Sequence, residues 1–213
     1  MDIGSLFLSE RINMLEVSAL DFDYQDKPLL RNIQFALSPG RLLHLRGANG
    51  AGKTTLLRLL AGLLSQAHGE IRYQGVSIYD DLPSYQQNIC YVGHKPGISL
   101  LLTARENYHF GLHDSLKNVS FQKLIARLSL EGCEDTPGGL LSAGQRRRVA
   151  LMRLFTTKAS LWLLDEPLVA LDADGIIILM DCIKEHLKRD GQIVLTSHQN
   201  LPLPENMYEE YCL

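Results

Sequence analysis

Apolar residues recur at every second position over residues 15–22 and again over 33–37, the spacing of half-buried strands. Residues 41–46 and 161–164 are instead near-continuous apolar runs, which suits strands buried on both faces of a parallel sheet. Residues 69–78 divide into two short strands about a Gln74-Gly75 turn, and residues 89–92 form a further strand ending at Gly93-His94. The period then becomes helical. Thr103 caps a helix with Glu106 three residues on, residues 121–130 carry apolar positions at helical spacing, and residues 146–158 form a long helix. A last strand covers 193–197 and runs into His198. The pattern predicts an α/β fold in which antiparallel hairpins accompany a mostly parallel core. Residues 95–141 are expected as a small helical insertion into a core of 14–94 and 142–213, with 1–13 as an N-terminal extension.

The run Gly47-Ala48-Asn49-Gly50-Ala51-Gly52-Lys53-Thr54-Thr55 matches G-x-x-x-x-G-K-[ST] without a gap. Its glycines let the backbone turn tightly enough for successive N–H groups to face the oxygens of a di- or triphosphate. Lys53 adds a mobile charge for the β- and γ-phosphates, and the Thr54 hydroxyl suits a Mg²⁺ ligand. Residues 55–61 are good helix formers, so the positive end of a helix dipole faces the same place. An apolar strand before the loop and a helix after it are the context that the motif requires.

The strand at 161–164 ends in Asp165-Glu166, which brings Asp165 to the cation beside Thr54 and Glu166 within reach of a water facing the γ-phosphate as a general base. His198 ends another strand at the carboxyl edge, where ligands bind in such sheets. Tyr24 is an aromatic able to stack on an adenine base, although surface packing accounts for it equally well by spacing. His109 and His113, four apart, are surface or packing histidines with no third metal ligand near them in sequence.

Composition narrows the field. A net charge of −3 and 21% charged residues, with a pI near 6.2, provide no field to hold nucleic acid or an anionic membrane. The basic run Arg146-Arg147-Arg148 reads as the solvated face of a helix. Four scattered cysteines without a C-x-x-C pair suit reduced thiols. No stretch approaches the length of a membrane span, so membrane contact is expected only through partners.

Leu141-Ser142-Ala143-Gly144-Gln145 lies between the two nucleotide motifs. With this signature the chain resembles the ATP-binding cassette (ABC) ATPases from about Leu15 to His198. The resemblance implies a P-loop NTPase fold that binds ATP and Mg²⁺ and hydrolyses ATP. It implies Tyr24 as the base-stacking aromatic, Asp165 and Glu166 as the metal and catalytic acids, Asp172 in the loop across a dimer, and His198 as the γ-phosphate switch. It further implies a homodimer in which Ser142, Gly144 and Gln145 of one protomer complete the site around Lys53 of the other. His94 stands where the family commonly carries a metal-sensing glutamine. Within the family, residues 93–98, 102–107 and 141–151 are similar to ATPase subunits of cytochrome c maturation exporters associated with heme. That similarity implies integral membrane permease partners and a peripheral position on the cytoplasmic face of the bacterial inner membrane.

Other classes predict other features. A P-loop GTPase or kinase would carry an Asn-Lys-x-Asp base reader or an acceptor lid, and neither stands in the sequence. A non-transport ABC ATPase, or an exporter of a different substrate, remains the alternative, because such a subunit hands over motion and need not touch the cargo.

Overall fold

A computed structural model describes residues 15–25, 27–66, 68–110 and 120–213. The N-terminal extension, Met14 and His113 lie outside the described residues.

Two sheets stack on one helix. The first is antiparallel, in the order β2-β1-β4-β5, with β1 Leu15–Tyr24, β2 Lys27–Leu37, β4 His68–Tyr73 and β5 Val76–Ser77. The alternation in β1 buries Leu15 and Val17, then shifts phase so that Leu20 is the next inward residue. Register shifts flank that step, and Ala19 adopts φ 45°, so a bulge restores the apolar face. Gly69 lies against this bulge with φ 87°, and a Cβ there would stand 2.3 Å from the Ala19 carbonyl oxygen. Only glycine permits that approach.

The second sheet is parallel, in the order β6-β7-β8-β3-β9. Its strands are β3 Leu42–Arg46, β6 Ile89–Val92, β7 Leu161–Asp165, β8 Gln192–Thr196 and β9 Tyr208–Cys212. Every residue of β7 and β8 is buried, as expected of strands covered on both faces. Alternate residues serve different cores. Leu161 and Leu163 face the antiparallel sheet and helix α1 (Lys53–Leu60). Trp162 and Leu164 face helices α5 (Ala143–Thr156) and α6 (Ala173–Leu187).

Between these lie α2 (Leu82–Gln87), α3 (Ala104–Phe110) and α4 (Phe121–Arg127). Helix α2 was not evident from periodicity. It begins at Asp81, whose carboxylate accepts from the Ser84 N–H, with a proline in its first turn. The Thr103–Glu106 capping box forms in both directions. Helices α3 and α4 bury Tyr108, Leu124 and Ile125 against Val149 and Met152 of α5, in a cluster separate from the other two.

The arginine run departs from the sequence reading. Arg147 and Arg148 are 3% and 7% exposed, so they are not a solvated face. Three successive helical positions sweep about 200° around the axis, so one face cannot hold all three. Arg147 points toward the end of β7, and Arg148 donates to the Leu128 carbonyl and the Asp172 carboxylate.

Candidate functional site

The phosphate loop leaves the carboxyl end of β3 and turns into α1, with Gly52 (φ 99°) as the helix N-cap. Gly50 also has positive φ, and nothing lies within 4 Å of where its Cβ would be, so the approach to its backbone is open. The Lys53 ammonium bends back over the loop and donates to the carbonyls of Gly47 (2.7 Å) and Ala48 (3.0 Å). The charge is thereby held above the backbone N–H groups, at the positive end of α1.

Asp165 arrives from two strands away, and its register decides what it meets. Leu45 of β3 pairs with Thr196 of β8, and Thr196 pairs with Asp165 of β7. The Thr196 hydroxyl donates to Asp165 Oδ1 at 2.9 Å and accepts from the Glu166 N–H at 2.9 Å. Thr54 donates to the same carboxylate at 2.9 and 3.1 Å, which joins the loop to the acidic strand end. Thr196 was not singled out from the sequence. Its signal is a hydroxyl that follows the apolar run Ile193-Val194-Leu195 at the end of a buried strand.

Glu166 follows with φ 49°, a sparsely populated conformation for a residue with a side chain and one that collects at functional sites. Its Oε1 is buried without a hydrogen-bond partner, and His198 Nε2 lies 3.5 Å away. Such an orphaned acceptor implies a group that it awaits. Glu166 and His198, with Lys53, Thr54, Asp165, Asn49, Thr55 and His94, line a cleft of about 360 Å³. That volume suits the phosphate end of a nucleotide. Mg²⁺ is ordinarily held by one or two carboxylates plus substrate phosphates, and the hydroxyl and carboxylate oxygens of Thr54 and Asp165 fit that preference.

Other expected residues lie elsewhere. Tyr24 is 58% exposed at the end of β1 and does not line the cleft. Ser142 is the N-cap of α5, where its hydroxyl accepts from the Gln145 N–H and the Gln145 side chain accepts from the Ser142 N–H. Gly144 approaches the Ala170 carbonyl, where a Cβ would stand at 3.0 Å. Asp172 caps α6 through the Gly175 N–H, and Arg148 holds its carboxyl below the usual carboxylate range. These four residues do not line the cleft around Lys53.

A model of the ABC transporter family matches residues 30–169, two-thirds of the chain. The chain belongs to that family. Among similar ABC proteins, the Legionella pneumophila protein named cytochrome c biogenesis ATP-binding export protein CcmA is 54% identical over 94% of this chain and 100% of its own. The Escherichia coli K12 protein of the same name is 42% identical over 92% and 94%. An ABC transporter ATP-binding protein from Pyrococcus furiosus superposes with a TM-score of 0.74 at 28% identity, covering 93% of this chain and 97% of that one. An ATP-binding ABC subunit gives 0.77 at 25% identity, covering 87% and 80%. The family's ATP binding and hydrolysis therefore apply to this chain.

One buried group in this ABC domain was also not evident from the sequence. His44 in β3 is fully buried, with its Nε2 3.2 Å from the carbonyl of Ser197, the residue before His198. Burial pushes its pKa down, against weaker opposing effects from the Ser197 carbonyl and Glu210. The folded chain therefore binds fewer protons than the unfolded chain below about pH 6.5, the ordinary histidine value. Stability contributed by neutral His44 is complete above that pH and is lost as the pH falls toward the lowered folded value. Urea unfolding measured between pH 7.5 and 5.5 is expected to show a shallower acid loss in His44→Gln than in the natural chain. Equal slopes would refute it.

Proposed function

We propose that the chain is the ATP-hydrolysing subunit of a cytochrome c biogenesis exporter, associated with heme export or heme-chaperone release across the bacterial inner membrane. The observation that carries this reading is the likeness, along nearly the whole chain, to proteins named for cytochrome c biogenesis export. The subunit acts as a homodimer on the cytoplasmic face, peripheral to integral membrane permease subunits. Among the described residues no helix is long and apolar enough to cross a membrane.

In this reading two protomers enclose two nucleotides, and Ser142 and Gly144 of one complete the site around Lys53 of the other. Mg²⁺, when held by Thr54, Asp165 and the phosphates, neutralises charge that develops during transfer. Glu166 takes a proton from the attacking water as its oxygen bonds to the γ-phosphorus and the bond to the ADP oxygen breaks. Lys53 and the loop N–H groups spread the resulting charge, and His198 reports the presence of the γ-phosphate. Nucleotide binding closes the pair and phosphate release opens it, a two-state motion of the kind a permease requires.

The 95–141 insertion supplies the load-bearing surface. Ile98 and Leu102 are partly buried, whereas Leu101 is 89% exposed and Phe110 78%. Leu101, Leu102, Tyr108 and Phe110 line an open groove of about 840 Å³ together with Met152 and Arg153 of α5. A groove of this kind suits an amphipathic helix from a permease. Leu101→Glu is expected to release the chain from membranes that contain the permeases, while its ATP affinity stays within about twofold of the natural value, because Leu101 does not line the cleft. Purification from native membranes, with identification of the chains that accompany it, tests the complex itself. Firm membrane association in cells lacking every candidate permease would overturn this reading.

A further inference from the structure

Among the described residues no carboxylate pairs with the Arg147 guanidinium, although it is a buried cation. Its hydrogen bonds go to main-chain carbonyls: Asp165 (3.1 Å), Glu166 (2.7 Å), Pro167 (3.3 Å) and Gly93 (3.0 Å). Three of these acceptors are consecutive and surround the positive-φ turn at Glu166. The fourth precedes His94, another residue of the cleft lining, at the end of the neighbouring strand β6. Burial lowers the Arg147 pKa, the charges of Asp165 and Glu166 oppose that shift, and the charge of Arg153 adds to it.

A strained backbone persists only where its surroundings over-determine it. Among the described residues Glu166 is held by the Thr196 hydroxyl on its N–H, by the Val169 N–H on its carbonyl (3.2 Å), by the His198 N–H on its carboxylate (3.4 Å), and by the Arg147 fork, which alone spans the carbonyls of residues 165–167. Arg147 leaves α5 two residues after Gln145, so the same fork ties the signature end of that helix to the strand end bearing the acids.

We propose that Arg147 is a positioning residue that holds the Glu166 turn, and hence its carboxylate, in the geometry for hydrolysis. It rests on the reading of Glu166 as the base. A planar guanidinium can donate to four separated carbonyls at once, whereas a lysine ammonium in the same place is a single point with three donors. A misplacement of about 1 Å at a reacting group can lower a rate on the order of a hundredfold.

The test compares the full chain with Arg147→Lys and Arg147→Gln, each alone and combined with Glu166→Gln. ATP turnover, affinity for a fluorescent ATP analogue and the unfolding midpoint are measured for each. The expected result is a fall in kcat of about ten- to a hundredfold in both single variants, with ATP-analogue affinity within about twofold, and no further fall when either is added to Glu166→Gln. An unchanged kcat would overturn the proposal. So would a loss of affinity that parallels the loss of kcat, or variants that do not fold, because Arg147 would then be a structural residue. A fall of equal size in the Glu166→Gln background would place the effect of Arg147 elsewhere and overturn it too. Wild-type turnover by Glu166→Gln alone would instead remove the base reading, so the two failures are distinguishable.

Discussion

Glu166→Gln is expected to lower steady-state ATP hydrolysis by about 10²–10⁴-fold, the usual contribution of a positioned general base, while leaving ATP binding intact. The substitution keeps the shape of the side chain while it removes the negative charge and the ability to accept a proton. Among the described residues Oε1 of Glu166 makes no hydrogen bond, and Oε2 accepts one long bond, 3.4 Å, from the His198 N–H, which the amide oxygen of a glutamine can still accept. The Glu166 N–H to Thr196 bond belongs to the main chain and survives, so Asp165 keeps its place. With binding retained and chemistry blocked, ATP should accumulate on a closed dimer, visible by size-exclusion chromatography as an ATP-dependent shift that reverses slowly. Hydrolysis at the wild-type rate would remove Glu166 from the role of base.

Lys53→Ala should act on the earlier step. Its ammonium is the cation held over the loop, at 2.7 and 3.0 Å from the Gly47 and Ala48 carbonyls, and it supplies a charge-assisted donor to the phosphates. Hydrogen bonds to charged groups are each worth about 1.5–3 kcal/mol, so ATP affinity should fall roughly 10- to 150-fold and hydrolysis with it. The side chain is mostly buried, yet the acceptors it leaves line a polar loop open to water, so thermal unfolding should stay close to that of the natural chain. The two variants separate binding from chemistry. A Lys53→Ala chain that binds a fluorescent ATP analogue as tightly as the natural one would show that the loop backbone alone holds the phosphates.

Residue pattern alone determined much of this protein. The two-residue period of β1 and β2, the apolar runs of β3, β7 and β8, and the capping box at Thr103 are local, because each needs only neighbours within a few residues. The phosphate loop and the Asp165-Glu166 pair were legible for the same reason: each needs certain residue types at fixed short spacing. Strand β9 was not legible. Its Tyr-Glu-Glu-Tyr-Cys sequence is only partly buried, because it is the edge strand next to β3. Which strand separates β3 from β7 was equally hidden, since sheet order follows from packing across the whole domain. That order alone makes Thr196 the bridge between Asp165 and Glu166. The arginine run shows the same limit most sharply. Charge and spacing favour a wet surface, but when the helix is laid on the end of β7, Arg147 points into carbonyls 18 to 54 residues away in sequence. A buried cation becomes acceptable only when the fold brings acceptors to it, and no local pattern carries that information.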